Sequence, residues 1–485
     1  MQLLTKSKYL YGLQCPGYLW TLFNKPDNIP EVTEQDEARM EQGTQIGELA
    51  QSLFPEGIKV PSEPFKENLE KTESLLKEKK PLFEAGFIHN NCFSRADILV
   101  PVGNEWDIVE VKSGGSIKEI NLHDVSFQKY CYEGKGLKIR NCYLMHLNTK
   151  YVKNGEIKPE ELFVKEDITE EVNNLMKDIQ SNINHMFDII NSNSCPKVQN
   201  GECCKLPSES LLGTCWDFLP EDNVFTLYNS NKKSLGLYDQ GILSIKDIPD
   251  SFKLNAKQLI QKECERNGKD HIDKKGIKEF LDKLTYPLYY LDFETFNTAL
   301  PMFDNTRPYQ QIPFQFSLHI VNENNKIEHH SFLFDGQYDP REEFFLELKR
   351  LLGDKGSIIV YNQPFEKMIL RELSLIFVKE KKWFENLNNR ILDLLIPFRN
   401  FSYYNPKQYG SNSIKKVLPV LTGNSYSDMD IGDGGTASFK FMNITFDNVS
   451  EEERAKIRED LEKYCCLDTE GMIWIVEKLR EMVGF

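Results

Sequence analysis

Residues 285–296 read TYPLYYLDFETF. Side chains alternate across a strand, so this run turns Leu291 and Phe293 to one face and Asp292 and Glu294 to the other. The pattern of the chain resets here. From Tyr286 to the C-terminus strand and helix signals alternate, as in an α/β or α+β module with its own sheet. A lone Asp-x-Glu is usually just solvated, but three later segments supply partners. GSIIVYNQPFEKMIL (356–370) leads from a strand into a helix bearing Glu366, and ILDLLIPF (391–398) carries Asp393. EDLEKYCCLDTEGM (459–472) sets Tyr464 and Asp468 four residues apart, on one helical face. Asp292, Glu294, Glu366 and Asp468, converging from a strand and two helices, would bind divalent ions for an in-line displacement at phosphorus. Tyr464 would orient the attacking water, and Asp393 reads as an accessory or structural carboxylate.

The first half holds a second constellation. Asp97 lies in FSRADILV (93–100), and DIVEVKSG (107–114) alternates Val109 and Val111 with Glu110 and Lys112. Adjacent strands would bring Asp97, Glu110 and Lys112 together. Two carboxylates side by side call for a cation, and Mg²⁺ or Mn²⁺ prefers oxygen ligands. Lys112 could polarise a water or stabilise charge on a phosphoryl group. Downstream, DVSFQKYCYEG (124–134) is a helix with Gln128 and Tyr132 on one face.

With 485 residues, two or three domains are expected. The reading divides the chain into a module at 1–220, a connector at 221–285 and a module at 286–485, each module a mixed sheet flanked by helices. No apolar run is long enough to cross a bilayer and the N-terminus lacks a secretory pattern, so a cytoplasmic protein without a membrane partner is expected. A net charge of −15 argues against a protein that coats nucleic acid nonspecifically, but not against a nuclease, whose metal sites concentrate carboxylates. The 11 cysteines do not suggest a disulfide scaffold in a chain of this size.

In order, GTQIGELA, RADIL, EVKSG and QKYCY resemble the RecB-like nucleases of the PD-(D/E)XK superfamily, the group that includes CRISPR-associated adaptation nucleases. The resemblance runs from the N-terminus to about Cys215. It implies Asp97 and Glu110 as metal ligands together with the Val111 carbonyl, Lys112 as a catalytic group, and Gln128 and Tyr132 as supports. Gly47 stands where many relatives carry a histidine, and Glu48 is the candidate substitute. Such relatives often hold a [4Fe–4S] cluster on one N-terminal cysteine and three later ones. Here that implies Cys15, Cys195, Cys204 and Cys215, with Cys203 as a substitute and Ser210 near an expected cysteine. Zinc and ordinary buried thiols are the other readings. Cys92, Cys131, Cys142, Cys264, Cys465 and Cys466 read as core.

The second half resembles the RNase H-like 3′–5′ exonucleases of the DEDD group, tyrosine variant. That resemblance implies Asp292, Glu294, Glu366 and Asp468 as metal ligands and Tyr464 as a catalytic group, with Glu366 in place of the usual aspartate. YGSNSIKKVLPVL (409–421) and YSDMDIGDGGTASFKF (426–441) make the whole chain similar to an uncharacterised bacterial family that fuses these two modules. Ser411, Ser413, Lys415 and Lys416 are candidates for contacting a nucleic-acid backbone, against a plain loop entering a helix. Tyr403, Tyr404 and Tyr409 either stack bases or belong to the core. The expectation is a Mg²⁺- or Mn²⁺-dependent DNA exonuclease with two catalytic modules, serving repair, recombination or defence. The alternatives are a nucleic-acid-binding protein with one or both modules noncatalytic, and an RNA-processing exonuclease.

Overall fold

The computed structural model describes residues 2–484, in two compact units. One comprises the chain up to Phe218 together with Thr298–Gln310; the other comprises Leu219–Asn297 together with the chain from Gln311 onward. Both mix helices with mixed sheets, as the sequence indicated. Residues 221–285, read as a connector, fall within the second unit and carry a small apolar cluster of Val224, Leu227, Leu237, Ile245 and Ile248. Among the described residues, no helix is long and apolar enough to cross a membrane.

The first unit is built on a seven-stranded sheet: β1 (Leu4–Thr5), β2 (Ile58–Lys59), β3 (Leu82–His89), β4 (Cys92–Val102), β5 (Glu105–Lys112), β6 (Ile139–Leu147) and β7 (Phe163–Asp167). The order is β2-β3-β4-β5-β6-β7, with β1 parallel to the start of β4. Helices α1 (Lys6–Gln14) and α2 (Pro16–Asn24) precede α3 (Glu34–Gln51), and α4 (Glu119–Gly134) and α5 (Ile179–Asn191) follow. Val109 and Val111 of β5 join Ile46 and Ala50 of α3 in one apolar cluster. Glu110 is buried on the opposite face. A slip of one residue would exchange the valines for the glutamate, so this contrast fixes the register. On that opposite side Tyr9, Phe127, Tyr132 and Ile183 form the larger core, with Tyr9 stacked on Phe127 at 4.8 Å. Each such side chain contributes about 1.5–3 kcal/mol by leaving water.

The second unit has a five-stranded sheet ordered β11-β10-β9-β12-β13 and a small β14-β8 pair. Its strands are β8 (His271–Ile272), β9 (Leu288–Phe296), β10 (Ile312–Val321), β11 (Ile327–Leu333), β12 (Ser357–Val360), β13 (Ile391–Asp393) and β14 (Tyr403–Tyr404). β9 is antiparallel to β10 and parallel to β12. Leu291, Phe293, Phe316 and Leu318 pack on one face against Ile369 and Leu373 of α6 (Pro364–Ile376). The other face is covered by α8 (Gly434–Phe446), which follows α7 (Ile414–Thr422), and by the long helix α9 (Glu451–Val483). Phe314 of β10 stacks on Phe441 of α8 at 3.8 Å. α9 keeps its 33 residues helical with capped ends. The Ser450 hydroxyl accepts from the Glu453 amide, three glutamates occupy the first turn, and Gly484 closes the helix with φ of 77°.

Candidate active site

The alternation read in TYPLYYLDFETF holds in β9: Asp292 and Glu294 face α8 and α9, away from the Leu291–Phe293 cluster. Asp468 projects from α9 toward them. Asp292, Glu294 and Asp468 each present a carboxylate oxygen, and these three atoms all lie within 4.8 Å of one another. At that spacing two full charges repel by roughly 3 kcal/mol in a medium of effective dielectric about 20. Burial and this repulsion together favour protonation. Burial first, then Asp468 and Glu294, pushes Asp292 well above the ordinary carboxylate range. Burial and then Asp468 push Glu294 up to about 8, and burial pushes Asp468 up to about 6.

Three groups frame this cup. The Tyr426 hydroxyl donates to Asp468 Oδ1 at 2.6 Å. Lys415 of α7 lies 5.5 Å from the centre of the Tyr464 ring, and its charge opposes the upward shifts of Glu294 and Asp468. Tyr464 itself is buried, one helical turn before Asp468, and burial holds its hydroxyl protonated far above neutrality. Glu366, near the start of α6, is buried with Oε2 lacking a hydrogen-bond partner. It stands outside the group of three yet close enough to raise Asp292 further. Burial, then Asp393, pushes Glu366 to about 8. Asp393 has a structural task, since its Oδ1 accepts from the amides of Asn362 (2.9 Å) and Leu395 (3.0 Å). Crowded, partly protonated oxygens and an orphaned carboxylate atom fit a hard divalent cation.

The first unit also gathers its expected residues, but around ammonium groups. Lys112 Nζ donates to Glu110 Oε1 (2.5 Å) and Asp124 Oδ2 (2.6 Å). Lys6 Nζ donates to the same Glu110 oxygen at 2.8 Å and stands 3.3 Å from Asp124 Oδ1. Gln128 Nε2 takes the remaining oxygen, Glu110 Oε2, at 2.7 Å and is itself held by the Tyr132 hydroxyl at 3.1 Å. Asp97 Oδ2 accepts from the Val111 amide at 2.8 Å. Burial alone would raise Glu110, but Lys112 and Lys6 pull it below the ordinary range; Asp97, raised by burial and then by Glu110, rises to about 8. Both Glu110 oxygens are thus engaged by Lys6, Lys112 and Gln128. Glu48 is exposed and paired with Lys59 at 3.0 Å. Opposite Asp97, Glu84 interrupts β3 with φ of 59°, a left-handed conformation that is strained for a residue with a Cβ.

Three thiols from later in the chain approach Gly17, at the start of α2. A Cβ built there would lie 3.1 Å from Cys203 Sγ, 3.5 Å from Cys195 Sγ and 3.8 Å from Cys215 Sγ. Cys15 Sγ is 3.8 Å from Cys203 Sγ, and Cys15, Cys203 and Cys215 form one potential ligand group. Bonds from Trp20 to the Ser192 carbonyl (2.9 Å) and from Asn24 to the Ile190 carbonyl (3.0 Å) tie α2 to the end of α5 and so bring Cys15 to the later cysteines. The thiols are free, and these separations far exceed a disulfide bond. Cys203 is the one of the adjacent pair that falls in this group, and Cys204 Sγ, also buried, lies 3.8 Å from Cys203 Sγ. Four soft donors around a glycine cradle fit an iron–sulfur cluster or zinc.

The remaining expectations divide. In the loop into α7 the Ser411 hydroxyl donates to the Ser413 hydroxyl and accepts from the Ser413 amide. Lys416 lies over the Tyr409 ring at 5.6 Å, while Lys415 faces the carboxylates. Tyr403 and Tyr404 are core residues. Lys6, Asp124 and Tyr426 were not foreseen. Asp124 was findable, because Asp124, Gln128 and Tyr132 recur at four-residue steps on one face of α4.

Against known proteins, a family model described as a domain of unknown function (DUF2779) matches residues 289–413. That segment contains Asp292, Glu294 and Glu366; Tyr464 and Asp468 lie beyond it. The chain is 29% identical over 238 residues to the uncharacterized protein MG366 homolog of Mycoplasma pneumoniae, covering 44% of this chain and 36% of that protein. It is 24% identical over 226 residues to uncharacterized protein MG366 of Mycoplasma genitalium, covering 43% and 34%. Uncharacterized protein UU173 of Ureaplasma parvum matches at 25% over 223 residues, covering 41% and 32%. The chain thus spans about a third of the length of these curated relatives.

Proposed function

We propose that this chain is a metal-dependent nuclease, an exonuclease acting on DNA, whose reacting centre is the carboxylate cup of the second unit. The observation that carries the reading is the convergence of Asp292, Glu294 and Asp468 within 4.8 Å in a buried cup. Asp292, Glu294 and Asp468, with Glu366 beside them, would hold Mg²⁺ or Mn²⁺, which would supply charge stabilisation to a phosphoryl group and a lowered pKa to water. The chain's own residues then have defined tasks. Tyr426 fixes the Asp468 carboxylate by its hydrogen bond. Tyr464, held protonated by burial, positions an attacking water or a phosphate oxygen by donating to it and does not act as a base. Lys415 offers a positive charge to the phosphate beside an otherwise acidic cup.

A second reading concerns the first unit. Its Lys6–Glu110–Lys112–Asp124 network favours a noncatalytic nucleic-acid-binding module over a second nuclease. One experiment addresses both: degradation of 5′-labelled single-stranded DNA, with a matched RNA, in Mn²⁺. Asp292→Asn and Asp468→Asn are expected to abolish 3′ shortening, and Glu110→Gln to leave it intact. Undiminished degradation by Asp292→Asn would refute the assignment of the cup, and loss in Glu110→Gln would refute the noncatalytic first unit. Preference for the RNA would move the substrate class to RNA processing.

A further inference from the structure

A third group of potential ligands lies in the second unit, next to the carboxylates on the same sheet, with Ser317 of β10 paired to Asp292 of β9. His319 of β10 and His329 of β11 are directly paired across antiparallel strands, their rings stacked at 4.3 Å. Cys466 of α9, only half-buried, completes the group, with one ligand atom from each residue within 4.8 Å of the others. Two residues along β10 from His319 and one helical turn along α9 from Cys466 stand Ser317 and Thr469, which bond each other at 2.7 Å. Ser317 Oγ is 3.0 Å from His329 Nε2, and Thr469 Oγ1 is 2.8 Å from His319 Nδ1.

In one assignment of the protons, Thr469 donates to the Cys466 carbonyl at 3.0 Å and accepts from Ser317 and the Nδ1–H of His319, while Ser317 accepts from the Nε2–H of His329. That assignment leaves Nε2 of His319 and Nδ1 of His329 outside the network. This is how ligand histidines are prepared, with one ring N–H fixed by a neighbour so that the other nitrogen binds metal.

We propose that His319, His329 and Cys466 form a site for a transition-metal ion of zinc type. Two imidazoles and a thiol suit zinc and not the hard ions that fit the carboxylate cup, and three protein ligands leave a coordination position open. The Ser317–Thr469 pair is its outer support. The test uses the full-length chain, stripped of metal by chelation and titrated with Zn²⁺, then with Co²⁺ as a spectroscopic probe. The parent chain is expected to bind one more equivalent of zinc than His329→Gln or Cys466→Ser. The Co²⁺ difference spectrum between the parent and His329→Gln is expected to show thiolate charge transfer, the thiols around Gly17 cancelling. His329 sits on an exposed strand, so its variant is expected to retain the parent urea midpoint without metal. Thr469→Val is expected to weaken zinc binding about 10–100-fold, and Asp292→Asn to keep the extra equivalent. Equal stoichiometry in the parent and both ligand variants, or loss of the equivalent only in Asp292→Asn, overturns the proposal.

Discussion

Replacing Glu294 by Gln should make the metal-free protein more stable while disabling the proposed catalysis. Glu294 is 7% exposed and faces Asp468 on α9, Asp433 at the N-cap of α8, Lys415 on α7 and Asp292 on its own strand. Burial, then Asp468, raises its carboxyl from 4.5 in the open chain to about 8 in the fold. The sign follows from proton uptake. Between these two values the folded state holds more protons than the unfolded one, so stability is complete below pH 4.5 and declines as pH rises toward 8. At about 1.36 kcal/mol per unit, the stability lost through this one group between pH 4.5 and pH 7 is about 3 kcal/mol. Glutamine has the same shape and no charge to desolvate. In EDTA at pH 7.5, urea unfolding followed by circular dichroism should show Glu294→Gln more stable by about 2–3 kcal/mol, with a flatter pH dependence than the parent. At pH 4.5 the two should coincide. Adding Mg²⁺ to 100 times its Kd should return about 2.7 kcal/mol to the parent and little to the variant. A variant no more stable than the parent at pH 7.5 without metal would mean that the carboxylates are not mutually crowded.

Lys6→Met leaves Glu110 and Asp124 short of one buried partner and should destabilise the first unit by about 3 kcal/mol, measured by urea midpoint at pH 7.5. Cys203→Ser should abolish retention of iron or zinc by the thiol group, as read by metal analysis of anaerobically purified protein. Gly47→Ala, mid-helix in α3 with no atom within 4 Å of the added Cβ, should stabilise by about 0.5–1 kcal/mol and leave nuclease activity unchanged.

The sheet strands were legible because alternation is local: Val109 against Glu110, and Phe293 against Asp292, declare their faces within a few residues. Carboxylates on β9 and α9 were likewise readable from two-residue and four-residue spacings. What escaped depends on distant pairing. Lys6 reaches Glu110 because β1 lies beside β4, and no feature near Lys6 announces that neighbour. Tyr426 sits in an aperiodic loop and meets Asp468 only after α7 and α9 have packed. His319 and His329 are single residues whose partnership exists only in strand register. Cys203 and Cys204 are adjacent and both buried, so spacing does not encode which of them joins the ligand group.

α9 carries Tyr464 and Asp468 toward the carboxylates and Cys466 and Thr469 toward the histidine pair. These positions span six residues, a rise of about 7.5 Å along the helix. Two donor sets of opposite chemical hardness are thus indexed by a single rigid rod. Inserting or deleting one residue ahead of Tyr464 turns everything beyond it by about 100° and dismantles both sets at once. Neither set can drift in sequence spacing without the other, so a change in the phase of this helix behaves as one event with two chemical consequences.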